Sequence, residues 1–236
     1  MKGLKYILLL AVLFTLGACQ RSQEERNRIL KVYNWADYID EDVLAEFPEW
    51  YKEQTGEDIE VIYQTFDINE IMLTKIERGH EDFDVVCPSE YIIERMMKKD
   101  MLQPINRDFG NTPDYIPNLA PYIQEELNKM SFDERKVTDY AVAYMWGTAG
   151  VLYNKGLVTE EEALTCGSLW DPKFNNKILM KDSYRDCYGL AIIYANTERL
   201  QKGEVTVEQL MNDNSKDAIV MAEKYLKMMK PNIAGW

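Results

Sequence analysis

At 236 residues, with 40 acidic side chains against 27 basic ones and a single histidine, the chain carries a formal net charge of −13. That sign argues against nucleic acid as a partner, since phosphate binding needs a basic face. It favours cationic partners, although an acidic surface is also an ordinary solubility device. Four cysteines without a C-x-x-C spacing, and His80 alone, give no conventional zinc pattern.

Lys2 and Lys5 lead into an apolar run over residues 7–16, in which Thr15 is the polar exception, and then into Leu16-Gly17-Ala18-Cys19. The order is that of a removable export signal, with an apolar run too short for a stop-transfer helix. Leu16-Gly17-Ala18-Cys19 resembles the lipobox of bacterial lipoproteins. The resemblance implies a signal peptide over 1–18, acylation of Cys19, and a polar tether over 19–28, placing the protein at the periplasmic face or cell envelope. Several acyl chains on one residue hold a protein at a membrane where one chain would not. Cys87, Cys166 and Cys187 remain, an odd number that leaves at least one thiol unpaired.

The stretch Lys31-Val32-Tyr33-Asn34-Trp35-Ala36-Asp37-Tyr38 reads as a strand running into a loop. A short helix over 40–46 is expected next, interrupted by Pro48 and resumed through Trp50 and Tyr51, with Gly56 as its stop. Residues 59–65 have strand character. Asp67 and Glu70 form a capping-box-like start for a helix ending at Gly79. A short buried strand over 83–87 precedes a helix over 90–99 with Ser89 as its cap. Strand and helix thus alternate three times, which indicates an α/β domain with a largely parallel sheet. Residues 101–121, with Pro104, Pro113, Pro117 and Pro121, read as a loop. Two strands, 140–146 and 150–154, are expected around Gly147-Thr148 and mark the crossing into a second lobe, so that residues 29–138 form lobe 1 and 139–236 lobe 2. Further on come a helical turn at 168–170, a strand at 178–180, and helices over 185–196 and 215–229. Met221, Met228 and Met229 read as core filler.

Ligands of open α/β sheets are met at the carboxyl ends of the strands. There the sequence places Trp35 and Tyr38 beside Asp37, Ser89 and Tyr91 after the third strand, and Asp182-Ser183 with Asp186 in the second lobe. Aromatic faces next to carboxylates suit a ligand that is both cationic and greasy; the competing reading has Trp35 and Tyr38 simply closing a core. Two lobes with such edges describe a cleft with polar groups converging from both walls. No Gly-x-Ser-x-Gly elbow accompanies His80, and no glycine-rich phosphate loop occurs.

Together, Tyr33-Asn34-Trp35-Ala36-Asp37-Tyr38, Val86-Cys87-Pro88-Ser89-Glu90-Tyr91, Tyr144-Met145-Trp146-Gly147-Thr148, Ser168-Leu169-Trp170-Asp171-Pro172-Lys173-Phe174 and the acidic loop 182–186 resemble the substrate-binding proteins of bacterial ABC importers for spermidine and putrescine. The resemblance implies a two-lobed, periplasmic-binding-protein-like (type II) α/β fold, a polyamine ligand, a permease partner, no cofactor and no enzymatic activity. It places Trp35, Ala36, Tyr38, Ser89 and Tyr91 on one wall and Ser183 and Asp186 on the other, with Asp37 and Asp182 in support. Ala36 stands where the family often has threonine, Ser183 where many members have aspartate, and Asp186 where they have glutamate; residues 48–51 look like a short surface insertion. Resembling proteins continue beyond Trp236, so the fold is expected to be incomplete at its C-terminus. Two other readings stay open: a binding protein for another small solute, and a carboxylate-dependent lipoprotein hydrolase.

Overall fold

The computed structural model describes residues 25–79, 81–110 and 112–236. The expected export signal, Cys19, the first part of the expected tether and His80 therefore lie outside the described residues. The chain divides after Trp146 into two compact units.

The first unit is built on three parallel strands, β1 (Ile29–Trp35), β2 (Glu60–Phe66) and β3 (Val85–Val86), in the order β2-β1-β3. β1 is central: it pairs with β2 along its whole length, from Ile29↔Glu60 to Trp35↔Phe66, and with β3 at Val32↔Val85 and Tyr33↔Val86. Helices α1 (Glu41–Thr55), α2 (Asn69–Gly79) and α3 (Glu90–Lys98) follow the three strands in turn. Tyr33, Phe66, Met72, Leu73, Ile92 and Met96 form the buried core. Tyr33 stacks on Phe83 at 4.5 Å and meets the edge of Phe66 at 5.1 Å.

Three local readings are corrected here. Pro48 does not interrupt α1, which runs from its Asp40 cap to Gly56 without a break; Gly56 takes φ 79° and donates its N–H to Lys52 O at 2.8 Å. The helix buries no residue, so water can reach the Leu44 carbonyl that proline leaves without a donor. α2 begins at Asn69, so Asp67 and Glu70 do not form the expected capping box. Ser89 occupies the cap position of α3 but makes no side-chain cap bond.

Past the irregular stretch, α4 (Pro121–Lys129) precedes a hairpin of β4 (Ser131–Phe132) and β5 (Arg135–Lys136). Asp133 and Glu134 turn it with φ of 46° and 65°, the sense of twist a two-residue hairpin requires. The expected strands over 140–146 and 150–154 do not form. A strand is a ladder, and neither segment finds a partner among the described residues, which leaves Trp146 62% and Leu152 100% exposed. Residues 140–146 instead hold to the first unit: the Tyr140 and Ala141 N–H groups donate to Val137 O, the Tyr144 hydroxyl to Tyr38 O, and Trp146 meets the ring of Tyr122 at 5.3 Å.

The second unit contains α5 (Glu160–Ala163), β6 (Ile178–Leu179), α6 (Tyr184–Ala195), α7 (Thr197–Gln201), α8 (Val207–Asn212), α9 (Lys216–Met229) and β7 (Ile233–Gly235), with β6 and β7 parallel. Leu169, Trp170, Met180, Cys187, Ala191, Ala222 and Met229 make its core. Trp170 stacks on Tyr194 at 4.0 Å and donates its indole N–H to Tyr225 O at 2.8 Å. Of the three methionines read as core filler, Met229 alone is buried; Met221 and Met228 are 38% and 55% exposed, and the Met221 sulfur lies 3.6 Å from the Asn196 side-chain nitrogen. Cys87 and Cys187 are free thiols.

Arg26, in the segment expected to be a tether, is held by several contacts. Arg26 donates to the Asp82 carboxylate at 2.8 Å, to Asp84 at 3.0 Å and to Ile29 O at 2.8 Å, and Lys31 adds an ion pair to Asp82. These contacts sit at the amino-terminal edge of the sheet. Lys31 first, then Arg26, holds the Asp82 carboxyl well below the usual carboxylate range. A carboxyl depressed in the folded state contributes stability that is present above its unfolded value and lost as pH falls through the folded one. Denaturant midpoints measured from pH 6 down to 2 should therefore fall more steeply for the native protein than for Arg26→Met/Lys31→Met, the native advantage at pH 6 narrowing below about pH 4.

Candidate functional site

In the order β2-β1-β3, the connection after β1 leaves to one side and the chain crosses back to add β3 on the other. The carboxyl ends of β1 and β3 therefore flank a topological switch point, where open parallel sheets take their ligands. The turn after β1 carries Trp35, Ala36, Asp37 and Tyr38. Asp37 takes φ 60°, a left-handed conformation that a short polar side chain tolerates, and this turns the chain so that Tyr38 is exposed. Trp35 is half-buried, with its ring 4.6 Å from Phe66 and 6.0 Å from Tyr38. It thus belongs partly to the core and partly to the edge. The Ala36 N–H is occupied, donating to Phe66 O at 3.3 Å.

The turn after β3 brings Ser89 and Tyr91 to the same edge, and Asn69 and Glu70 from the start of α2 join them there, Glu70 having been read from the sequence as part of a cap. Asn69, at the start of α2, is 6% exposed. Its carboxamide donates to Ser89 Oγ at 2.9 Å and to the Tyr91 hydroxyl at 3.0 Å, and accepts from Ser89 N–H at 3.2 Å. The Ser89 hydroxyl is turned toward Asn69 and makes no cap bond to α3. Tyr91 in turn donates to Glu70 Oε1 at 3.0 Å. Burial, assisted by Glu70 and opposed by the Asn69 donor, pushes the Tyr91 phenol up to about 12, so it remains a neutral donor near pH 7. A separate concavity of about 180 Å³, lined by Arg107, Leu119, Leu127 and Val142 among others, includes none of these residues.

In the second unit, Ser183 follows the strand end of β6 and caps α6, its hydroxyl accepting from Asp186 N–H at 3.3 Å. The Asp186 carboxylate, about one-third exposed, pairs with Lys181 at 2.8 Å, while Asp182 is exposed. Sequence reading missed Lys181 as a partner of the acidic loop. Among the described residues no group of three or more metal-ligating side chains occurs.

The family of bacterial extracellular solute-binding proteins matches residues 49–236. The chain belongs to that family. This solute-binding protein is 29% identical over 218 residues to the spermidine/putrescine-binding periplasmic protein of Salmonella typhimurium, an alignment covering 86% of this chain and 58% of that one. A spermidine/putrescine ABC transporter structure from Listeria monocytogenes superposes with a TM-score of 0.67 at 34% identity, covering 88% of this chain and 56% of that chain. The spermidine/putrescine ABC transporter substrate-binding protein PotD from Streptococcus pneumoniae gives 0.58 at 33% identity over the same shares. The solute-binding protein therefore has the α/β fold of these polyamine-system proteins, and spans a little under three-fifths of their length.

The packing of Trp35 makes a direct prediction. Trp35→Ala should lower stability by about 1–3 kcal/mol, less than for a fully buried tryptophan, because part of the side chain already faces water. Trp35→Phe should lower it by less than about 1.5 kcal/mol. Urea unfolding followed by circular dichroism checks both; an unchanged midpoint for Trp35→Ala would mean that the ring carries no packing.

Proposed function

We propose that this protein captures polyamines outside the cytoplasm and delivers them to the permease of an ABC importer, without chemical turnover, while held at the cell envelope by a lipid on Cys19. The supporting observation is that proteins named for spermidine and putrescine resemble it along 86–88% of its length. The chemistry of the strand ends fits such a ligand. Trp35 and Tyr38 offer ring faces to methylenes and ammonium groups, and Tyr91 and Ser89 offer hydroxyls. Ser183 and Asp186 offer a hydroxyl and a carboxylate on the second unit, with Asp37 and Asp182 adding negative charge nearby.

The test is a thermal-shift and calorimetry panel of putrescine, spermidine, amino acids and sugars on the purified protein. A polyamine at one hundred times its Kd should raise the melting temperature by roughly 5–10 °C, equivalent to about 2.7 kcal/mol of linkage. Sugars should leave it unchanged. A shift with another solute alone would favour a different ligand class, and steady product formation from an ester or glycoside would favour the hydrolase. Asp186→Asn should weaken polyamine binding roughly tenfold, about 1.4 kcal/mol, whereas Asp133→Asn, in the hairpin turn, should not.

Lys181 yields a prediction of the opposite sign. Its ammonium occupies the Asp186 carboxylate that a ligand ammonium would need. Exposed ion pairs of this kind contribute about 0.2–1 kcal/mol. Lys181→Met should therefore tighten polyamine binding by about 1.4- to fivefold, the fold-change those energies correspond to. Equal or weaker calorimetric affinity for the variant would show that Lys181 does not compete.

A further inference from the structure

We propose that Asn69 is the positioning residue of the first unit's ligand edge, and that Glu70 completes the device by accepting the Tyr91 hydroxyl's hydrogen bond; this role rests on the polyamine reading above. Asn69 touches two of the residues assigned to ligand contact and is itself almost fully buried. Its orientation is fixed without ambiguity. Ser89 N–H is a donor only, so the carboxamide end facing it is the oxygen, and the NH2 end faces the two hydroxyls. Both hydroxyl oxygens therefore act as acceptors toward Asn69.

The consequences differ for the two residues. Tyr91 accepts from Asn69 and donates to Glu70, which locks its hydroxyl and hence the plane in which its ring meets the edge. Donation to a carboxylate also makes the phenol ring richer in electrons, the property that attracts a cation to its face. Ser89 uses one lone pair on Asn69 and keeps the other, so its oxygen can still accept from an ammonium, a group that brings donors only. Glu70 carries no cationic partner among the described residues, and the Tyr91 bond takes up one of its two oxygens. One buried carboxamide thus presets two hydroxyls from a different helix in the arrangement a donor-only ligand needs. Preset groups lose less freedom on binding than mobile ones.

Two measurements on the full chain test this. In the first, calorimetry compares wild type, Asn69→Ala, Tyr91→Phe and the double variant with putrescine and spermidine. Asn69→Ala should weaken binding at least tenfold per folded molecule, and its effect should shrink severalfold in the Tyr91→Phe background. A residue with only a structural role would lower the melting temperature, leave affinity per folded molecule unchanged and show no such coupling. The second measurement needs neither ligand nor an intact Asn69 variant. In 15N-labelled wild-type protein the Asn69 side-chain NH2 signals should shift on Tyr91→Phe and again on Ser89→Ala. Signals indifferent to both substitutions overturn the proposal. Wild type that binds polyamines while Asn69→Ala binds them equally well overturns it alone. Wild type that binds no polyamine overturns the functional reading and this role together.

Discussion

The parallel pairing of β1 with both of its neighbours is the constraint on which the first unit depends. Because β2 and β3 run in the same direction as β1, every strand in the sheet ends at one edge. Three turns and three helix starts must then gather there, and they bring Trp35, Tyr38, Asn69, Glu70, Ser89 and Tyr91 together from segments far apart in sequence. An antiparallel arrangement would have sent alternate turns to opposite edges. The aromatic core under this edge, with Tyr33 between Phe66 and Phe83, sets the height from which those turns leave.

Much of this was legible in the residues. The apolar lead of β1, the β-branched run of β2 and the Val85-Val86 pair are strands because their neighbours in the sheet need such side chains. The strand-end rule then found Trp35, Tyr38, Ser89 and Tyr91 without reference to structure. The same rule applied equally to Asn69 and Glu70, which follow β2. They were missed because Asp67 and Glu70 also fit a capping box, and local pattern was preferred to position in the sheet. Only the tertiary approach of Tyr91 decides where the Glu70 carboxylate goes.

The remaining differences have separate causes. Residues 140–146 and 150–154 have the composition of strands, but composition supplies half of a ladder and the partner must come from elsewhere. Pro48 was expected to break α1, yet a helix lying wholly on the surface tolerates the lost hydrogen bond because water can replace it. The β4–β5 hairpin went unseen because Asp133-Glu134 is an unusual pair for a turn that glycine and asparagine normally make. Distant contacts decide the unformed strands, solvent decides Pro48, and the local conformation of Asp133-Glu134 decides the hairpin.

The distribution of ion pairs separates the two edges of the sheet more sharply than the net charge does. At the amino-terminal edge Asp82 and Asp84 are met by Arg26 and Lys31, so their charge is neutralised by the chain itself. At the carboxyl edge Asp37 and Glu70 have no cationic partner among the described residues. An acidic protein attracts cations everywhere, and overall charge alone would not choose between the edges. What distinguishes them is where the protein's own lysines and arginines are absent. In the second unit the corresponding loop holds Asp186 paired with Lys181, and Asp182 with no cationic partner among the described residues, an intermediate case. On the proposed reading, selectivity for a cationic ligand would follow as much from the omission of basic residues at the strand ends as from the carboxylates placed there.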